Sequence, residues 1–424
     1  MSLRMLTALG FLFGISVLPM AAGTGAAKVD SIVFTASNPL DLARPDEAIS
    51  IPLSVLAKLR PGFDAATYGV YAGQTEIPSQ LDDTNRDGAP DLLTFVTDFA
   101  PRERKELVLR WGGIPGPQKS FTKRTQADLS MKEGYTFVDG KYTKGYYTRI
   151  DSVRVPSVHV DHDALFQHEG PAWESDRVGY RFYLDARNRT DIYGKKVPEM
   201  VLQSAGVHDL VADNNESYES MLPWGMDNFK VGTSLGIGSV AMMTSKGVET
   251  VSWVDSEYCV IASNGPVRSE VQARYYGWKA GGGTYDLFSS YSITAGSRLT
   301  MCVESVTPSP SNLCTGIAKH EDTDLIEPRD TSGKGWKYLA LYGKQSRAGD
   351  DMGIAVFYRG TDKLSRGADS VSEFVTLRPE NGRVRYYFAS TWVQELHGIT
   401  SEGEFRAYLD EVTRRLDAPI SLGF

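Results

Sequence analysis

The sequence predicts a mainly β fold: a large antiparallel β-sandwich of the supersandwich kind, preceded by a smaller β domain and closed by one C-terminal helix. Three observations predict it. Apolar and polar residues alternate with a period of two in run after run, and Gly, Asp, Asn and Pro bound those runs. A helical spacing with both a start and a stop signal stands out only near the end of the chain.

The first element is not part of the fold. Residues 1–27 carry one early charge, Arg4, an apolar run from Leu6 to Leu18, Pro19, and the small stretch Ala21-Ala22-Gly23-Thr24-Gly25-Ala26-Ala27. This is the three-part pattern of a secretory signal peptide, with cleavage expected after Gly23 or Ala27 and a periplasmic or secreted product. The apolar run is shorter than the roughly 20 residues a spanning helix needs, and no cysteine follows it for lipid attachment. No membrane association is expected.

About 400 mature residues exceed the usual single-core limit of about 250 to 300, so two domains are expected. Residues 28–111 form the first, with alternating runs at Ala48 to Leu53, Leu92 to Val96 and Glu106 to Trp111. Residues 112–124, beginning Gly112-Gly113-Ile114-Pro115-Gly116-Pro117, read as a linker. Residues 125–424 form the large sandwich. Its strand-like runs include Tyr180 to Leu184, Val267 to Tyr276, Tyr285 to Ile293, Leu299 to Val306, Trp336 to Tyr342, Gly353 to Phe357 and Val384 to Trp392. The helix follows: Ser401-Glu402-Gly403-Glu404 has the capping-box pattern, Phe405, Leu409, Val412 and Leu416 keep helical spacing, and Pro419 is a stop.

The formal net charge is −8, and it becomes one unit more negative once Arg4 leaves with the leader. Nucleic acid is therefore not an expected partner, although a few local arginines can still bind carboxylates inside a cleft. The three cysteines, Cys259, Cys302 and Cys314, are too few for a disulfide scaffold and too scattered for a zinc ribbon. Cys302 and Cys314 flank the turn-rich segment Thr307 to Asn312, where a hairpin would bring them together; they are either a disulfide or two buried thiols.

Asp83, Asn85, Asp87 and Asp91 place oxygen side chains at alternating positions around Gly88, which is how a short loop wraps a structural calcium ion, and also how an ordinary Asp-rich turn is built. No organic cofactor is expected. The densest chemical stretch runs from Val158-His159-Val160-Asp161-His162-Asp163 through Phe166-Gln167-His168-Glu169-Gly170-Pro171-Ala172-Trp173-Glu174. Three of the six histidines fall in it beside carboxylates, which supplies acid–base or metal-binding groups, although the helical His-Glu-x-x-His arrangement is absent. Next come Tyr180, Arg181, Tyr183 and Asp185; on a strand, Arg181, Tyr183 and Asp185 share the face opposite Tyr180 and Phe182.

An arginine that offsets a carboxylate, beside a tyrosine that moves a proton, is what elimination on a uronic acid requires: the proton next to the carboxylate becomes removable once that charge is offset. His162, His168, Tyr180, Arg181 and Tyr183 are the candidate catalytic residues, and His162, His168, Arg181 and Tyr183 are expected to line one cleft. Glu169, Trp173, Lys195, His208 and Asp227 are the candidates for holding substrate. The other tryptophans, among them Trp224, Trp253, Trp278, Trp336 and Trp392, serve either as sugar-stacking platforms or as core.

The stretches His168-Glu169-Gly170-Pro171-Ala172-Trp173-Glu174-Ser175, Tyr180-Arg181-Phe182-Tyr183, Asp191-Ile192-Tyr193-Gly194-Lys195 and Met226-Asp227-Asn228-Phe229-Lys230-Val231-Gly232 carry a resemblance. The chain resembles the secreted bacterial domain-of-unknown-function family four-eight-six-one over most of its mature length. That resemblance implies a β-rich fold and an association with pectin and ulvan degradation, with an ulvan-oligosaccharide dehydratase in or near the group. The family pattern is His-Gly-Pro where this chain has His168-Glu169-Gly170-Pro171, so Glu169 either alters the loop or adds a carboxylate. The expected function is β-elimination on a uronate-containing oligosaccharide, as a dehydratase or lyase. The rival expectations are a glycoside hydrolase using Glu169 or Glu174 with Asp185 or Asp227, and a non-catalytic carbohydrate-binding protein.

Overall fold

The structure is a computed structural model that describes residues 29–113, 121–206, 217–330 and 332–424. The leader, most of the linker's first half and His208 lie outside the described residues.

Strict alternation decides the architecture. In the strand Arg383–Trp392, Val384, Tyr386 and Phe388 point into one apolar core, while Tyr387 and Ala389 meet a second on the other face. The neighbouring strand Asp351–Arg359 divides the same way, with Ile354 and Val356 on one side and Ala355 and Phe357 on the other. A strand apolar on both faces must be covered on both.

These strands belong to a nine-stranded antiparallel sheet, in spatial order Ser152–Arg154, Ser256–Asn264, Arg268–Ala280, Gly283–Thr294, Leu299–Thr307, Arg383–Trp392, Asp351–Arg359, Trp336–Lys344 and Thr323–Ile326. One face packs against two five-stranded sheets. The first, called here the site sheet, runs Gly225–Asp227, Thr190–Lys195, Gly179–Phe182, Ala172–Ser175 and Thr125–Asp128. The other runs Gly247–Thr250, Ile237–Thr244, Leu313–Ala318, Ser372–Leu377 and Lys363–Ala368. Trp173, Tyr180, Phe182, Ile237, Leu313 and Val375 from these two sheets join Val271, Tyr291, Val356 and Phe388 of the long one in a single core.

The helix Glu402–Asp417 covers the far face of the long sheet with Phe405, Leu409 and Val412. Its start is a variant of the capping box: Glu404 N–H donates to Ser401 Oγ at 3.3 Å, while the Glu404 carboxylate accepts from the N–H of Thr400, one residue before the N-cap, at 2.8 Å.

The N-terminal part has its own core, including Phe34, Leu56, Phe95, Leu107 and Trp111, between a five-stranded and a three-stranded sheet. The run at Ala48 to Leu53 is a strand, Arg44–Pro52, that passes directly into the short helix Leu53–Leu59. The last strand of the chain, Ser421–Gly423, pairs with the first, Asp30–Ser37, through Thr35 with Gly423 and Ser37 with Ser421. The three cysteines are free and buried. Cys302 lies in the long sheet's main core and Cys314 in a separate cluster with Leu235 and Phe374, so the disulfide reading is corrected to that of buried thiols. Among the described residues no helix is long and apolar enough to cross a membrane.

Candidate active site

The outer face of the site sheet is polar because its register stacks charged residues of one parity. Arg181 lies opposite Asp191 and also opposite Ala172; Tyr193 lies opposite Asp227. The same face therefore presents Arg181, Asp191, Tyr193 and Asp227, while Trp173, Tyr180, Phe182 and Ile192 go to the core. The loop before this sheet folds back over it. Leu184 N–H donates to Glu169 O at 2.8 Å, and Glu169 itself has φ +61°. Gly170 makes the approach feasible, because a Cβ there would lie 2.0 Å from Phe182 O.

At the centre is the Arg181 guanidinium. Its Nε and Nη2 donate to Asp191 Oδ2 at 3.0 and 2.7 Å, Nη2 donates to Asp227 Oδ2 at 2.8 Å, and the Tyr183, Tyr193 and Tyr218 hydroxyls stand at 3.2, 3.4 and 3.3 Å. The rings of those tyrosines surround it, 5.0 to 5.5 Å from the guanidinium carbon. This buried cation faces three carboxylates, with Glu169 at 3.7 Å beyond Asp191 and Asp227, and Arg347 reaches Asp227 at 3.5 Å. Desolvation raises Asp227 to about 8 against the pull of Arg181, and the negative charge of Asp191 adds to the rise. Tyr183 donates to Asp191 Oδ2 at 2.5 Å, and burial holds its hydroxyl well above the ordinary tyrosine range, so it keeps its proton at neutral pH.

Above this network opens a cleft of about 770 Å³, lined by His159, His162, Glu169, Arg181, Tyr183 and Arg189 among others. His162 stands at its mouth, 67% exposed, with φ +57° and Nδ1 against the Asp161 carboxylate and 3.6 Å from Glu169. Arg187 lies over the Tyr183 ring at 3.8 Å and pairs with Asp185, Asp161 and Glu169 at 2.6, 2.7 and 3.1 Å. Two further cations in the wall differ from it: among the described residues, neither Arg189 nor Lys230 has a carboxylate within ion-pair distance. Arg189 is buried, its Nε donates to Ser234 O at 2.6 Å, and desolvation lowers it to about 10. Asp161, His162 and Glu169 are the one group among the described residues whose donor atoms lie close enough for a metal, within 4.8 Å of one another; the Arg187 guanidinium already meets both carboxylates there.

Several expected site residues are placed elsewhere. His168 is fully buried on the outer-face side of the sheet under the segment at Leu202, with Nδ1 at 3.0 Å from Tyr193 Oη and Nε2 at 3.0 Å from Leu202 O, and it does not line the cleft. Tyr180 donates to Arg298 O at 2.7 Å and accepts from Ser390 N–H at 2.9 Å in the interior. Trp173 stacks on Tyr291 and donates Nε1–H to Thr300 Oγ1, so it is core and offers no sugar platform. Lys195 is fully buried against Glu174 at 2.5 Å, and that glutamate also accepts from Val201 and Leu202 N–H. Asp227 lies beneath Arg181 and is buried; Glu169, by contrast, lines the cleft.

The Asp83 loop lies on the N-terminal part. Its oxygens turn to the loop's own donors: Asp83 accepts from Asp87 and Gly88 N–H, Asn85 from Asp87 N–H, Asp87 from Ala89 N–H, and Asp91 from Thr84 and Asn85 N–H.

Residues missed from sequence include Asp191, Tyr193, Tyr218, Arg189 and His159. Asp191 carries no local signal, because its meeting with Arg181 depends on strand register. His159 lines the cleft with Nδ1 held by Asp163 at 2.8 Å, and its Nε2 has no partner among the described residues.

Comparison with known proteins adds a family. The family described as Domain of unknown function (DUF4861) matches residues 36–422. A relative from Formosa agariphila, described as Uncharacterized protein P7, is 23% identical over 429 residues, covering 94% of this chain and 95% of that protein. Two solved structures are similar at low identity. An α-mannosidase from Enterococcus faecalis V583 has a TM-score of 0.46 and 10% identity, covering 93% of this chain and 46% of its own. A glycosyl hydrolase family 38 protein from Enterococcus faecalis has a TM-score of 0.45 and 9% identity, with 93% and 47% covered. The chain spans about half the length of each.

Proposed function

This chain belongs to the DUF4861 family, and on that premise we propose that it is an exported carbohydrate-active enzyme that acts on uronate-containing oligosaccharides by β-elimination. The observation that carries the reading is a cleft holding cations without carboxylate partners among the described residues, Arg189 and Lys230, beside an accessible histidine and a protonated tyrosine. Arg181 is already satisfied by Asp191 and Asp227, so offsetting the substrate carboxylate falls to Arg189 and Lys230 rather than to Arg181. Arg181 instead fixes Tyr183 and the floor of the cleft.

In this mechanism the uronate carboxylate sits against Arg189, which makes the C5 proton removable. His162 takes that proton, the electron pair forms the C4–C5 double bond, and the C4–O bond breaks. The leaving oxygen receives the proton of Tyr183. Loss of water from an intact oligomer makes the enzyme a dehydratase; loss of a sugar makes it a lyase.

The test is ultraviolet absorbance of the conjugated product from glucuronate- and galacturonate-terminated oligosaccharides, with mass spectrometry of the products. His162→Ala should lower the rate by about 10². Cleavage with uptake of water would instead support a glycoside hydrolase, and binding without any product a carbohydrate-binding protein.

A further inference from the structure

A second cavity, of about 610 Å³, lies on the opposite side of the long sheet, between the C-terminal helix and the N-terminal part. The cations in its wall are of two kinds. Arg44, Arg298 and Arg415 are each paired with a glutamate, Glu47, Glu395 and Glu411, at 2.5 to 2.6 Å. Arg177, Arg359 and Arg385 line the same cavity, and among the described residues none has a carboxylate within 4.0 Å. Arg359 and Arg385 are also exposed.

Their positions make this unusual. The register that pairs Phe357 with Tyr387 and Tyr358 with Tyr386 brings Arg359 opposite Arg385 on neighbouring strands. Like charges placed so are destabilising unless something answers them. On the same face Arg359 lies over the Trp336 ring at 5.6 Å, and Trp336 packs edge-on against Tyr387. These two arginines also line a second hollow of about 480 Å³, whose wall carries Asp362 and Glu380 as well as Arg378 and Arg383. Two adjoining hollows thus share the forked donors of Arg359 and Arg385, the chemistry that answers a chain of carboxylate- or sulfate-bearing sugars.

We propose that the cavity at Arg177, Arg359 and Arg385 is a second, non-catalytic binding site for anionic oligosaccharide. It lies across the sandwich from the cleft and would hold a polymeric substrate while its end is processed. The choice of sugar over other polyanions rests on the function proposed above; the binding of an anion there does not. A net charge of −8 opposes nucleic acid, whose charge is dense and continuous.

The test is calorimetric titration of the full chain with a short oligogalacturonate, a neutral glucan oligomer of the same length, and duplex DNA. Wild-type protein should bind oligogalacturonate at two sites and the neutral oligomer at neither. Arg359→Gln/Arg385→Gln should lose one site, or weaken it by at least about ten-fold, with the rate of product formation from short substrates unchanged. Arg385→Gln alone should weaken the same site, which keeps the test decisive if the double variant folds poorly. Should the cleft reading fail, one site remains in the wild type and the double variant abolishes it. Unchanged stoichiometry and affinity in both variants would overturn the proposal, as would DNA binding as tight as that of oligogalacturonate.

Discussion

His168 illustrates how a catalytic-looking residue becomes structural. Its imidazole is buried between Tyr193 Oη and Leu202 O, and desolvation with the nearby Arg181 charge lowers it to about 3. The folded state therefore resists protonating it, while the unfolded chain takes up a proton near 6.5. Between those two values the unfolded state binds more protons, so this group's stability contribution is full above pH 6.5 and is lost as pH falls toward 3. The slope is on the order of 1 kcal/mol per pH unit. His168→Gln, which cannot titrate, should flatten that part of an acid-unfolding curve. His168→Ala should cost about 2 to 4 kcal/mol of stability while the rate, measured well below Tm, falls far less than in His162→Ala. A drop of about 10² in the rate at full folding would return His168 to the chemistry.

At the scale of elements, the final strand does more than end the chain. Ser421–Gly423 forms the edge of the N-terminal five-stranded sheet, and Phe424 stacks on Phe34 at 5.4 Å. Arg44 reinforces the link by donating to Ala418 O at 2.8 Å. Deleting residues 419–424 removes three backbone pairings and an aromatic contact from a sheet far away in sequence, while leaving the helix Glu402–Asp417 intact. Amide exchange should then rise in Asp30–Ser37 with little change in Arg383–Trp392, at a cost of about 1 to 3 kcal/mol. Uniform exchange in both strands would show that the C-terminal strand adds nothing to that sheet.

The whole molecule stabilises itself by burial rather than by covalent staples. Cys259, Cys302 and Cys314 are all buried and free, and burial pushes Cys259 and Cys302 thiols well up from the ordinary range. Such thiols are inert while the fold holds. Reductant should leave Tm unchanged, and alkylation of the unfolded chain without reductant should modify all three. A Tm that falls with reductant would reverse this. The Glu174–Lys195 pair belongs to the same scale: both groups are fully buried, and the carboxylate also accepts two backbone N–H groups, which places the pair in the scaffold beneath the site.

Alternation at a period of two, with the capping box at Ser401, determined the β-sandwich and its helix, because burial on a strand or helix face is a local property of spacing. The same alternation already separated Arg181 and Tyr183 from Tyr180, and that division holds in the structure. What local spacing could not supply was register. Asp191 meets Arg181, and Tyr193 meets Asp227, only because particular strands pair, and a shift of one residue would turn each to the core. Nor could it tell a buried histidine from an open one: His162 and His168 are six residues apart in similar polar company, yet one stands at the cleft mouth and the other under the Tyr193 hydroxyl. That difference was decided by Gly170, which lets the loop lie against Phe182 O, and by the packing of Leu202 over the sheet, long-range contacts that no single stretch of sequence encodes.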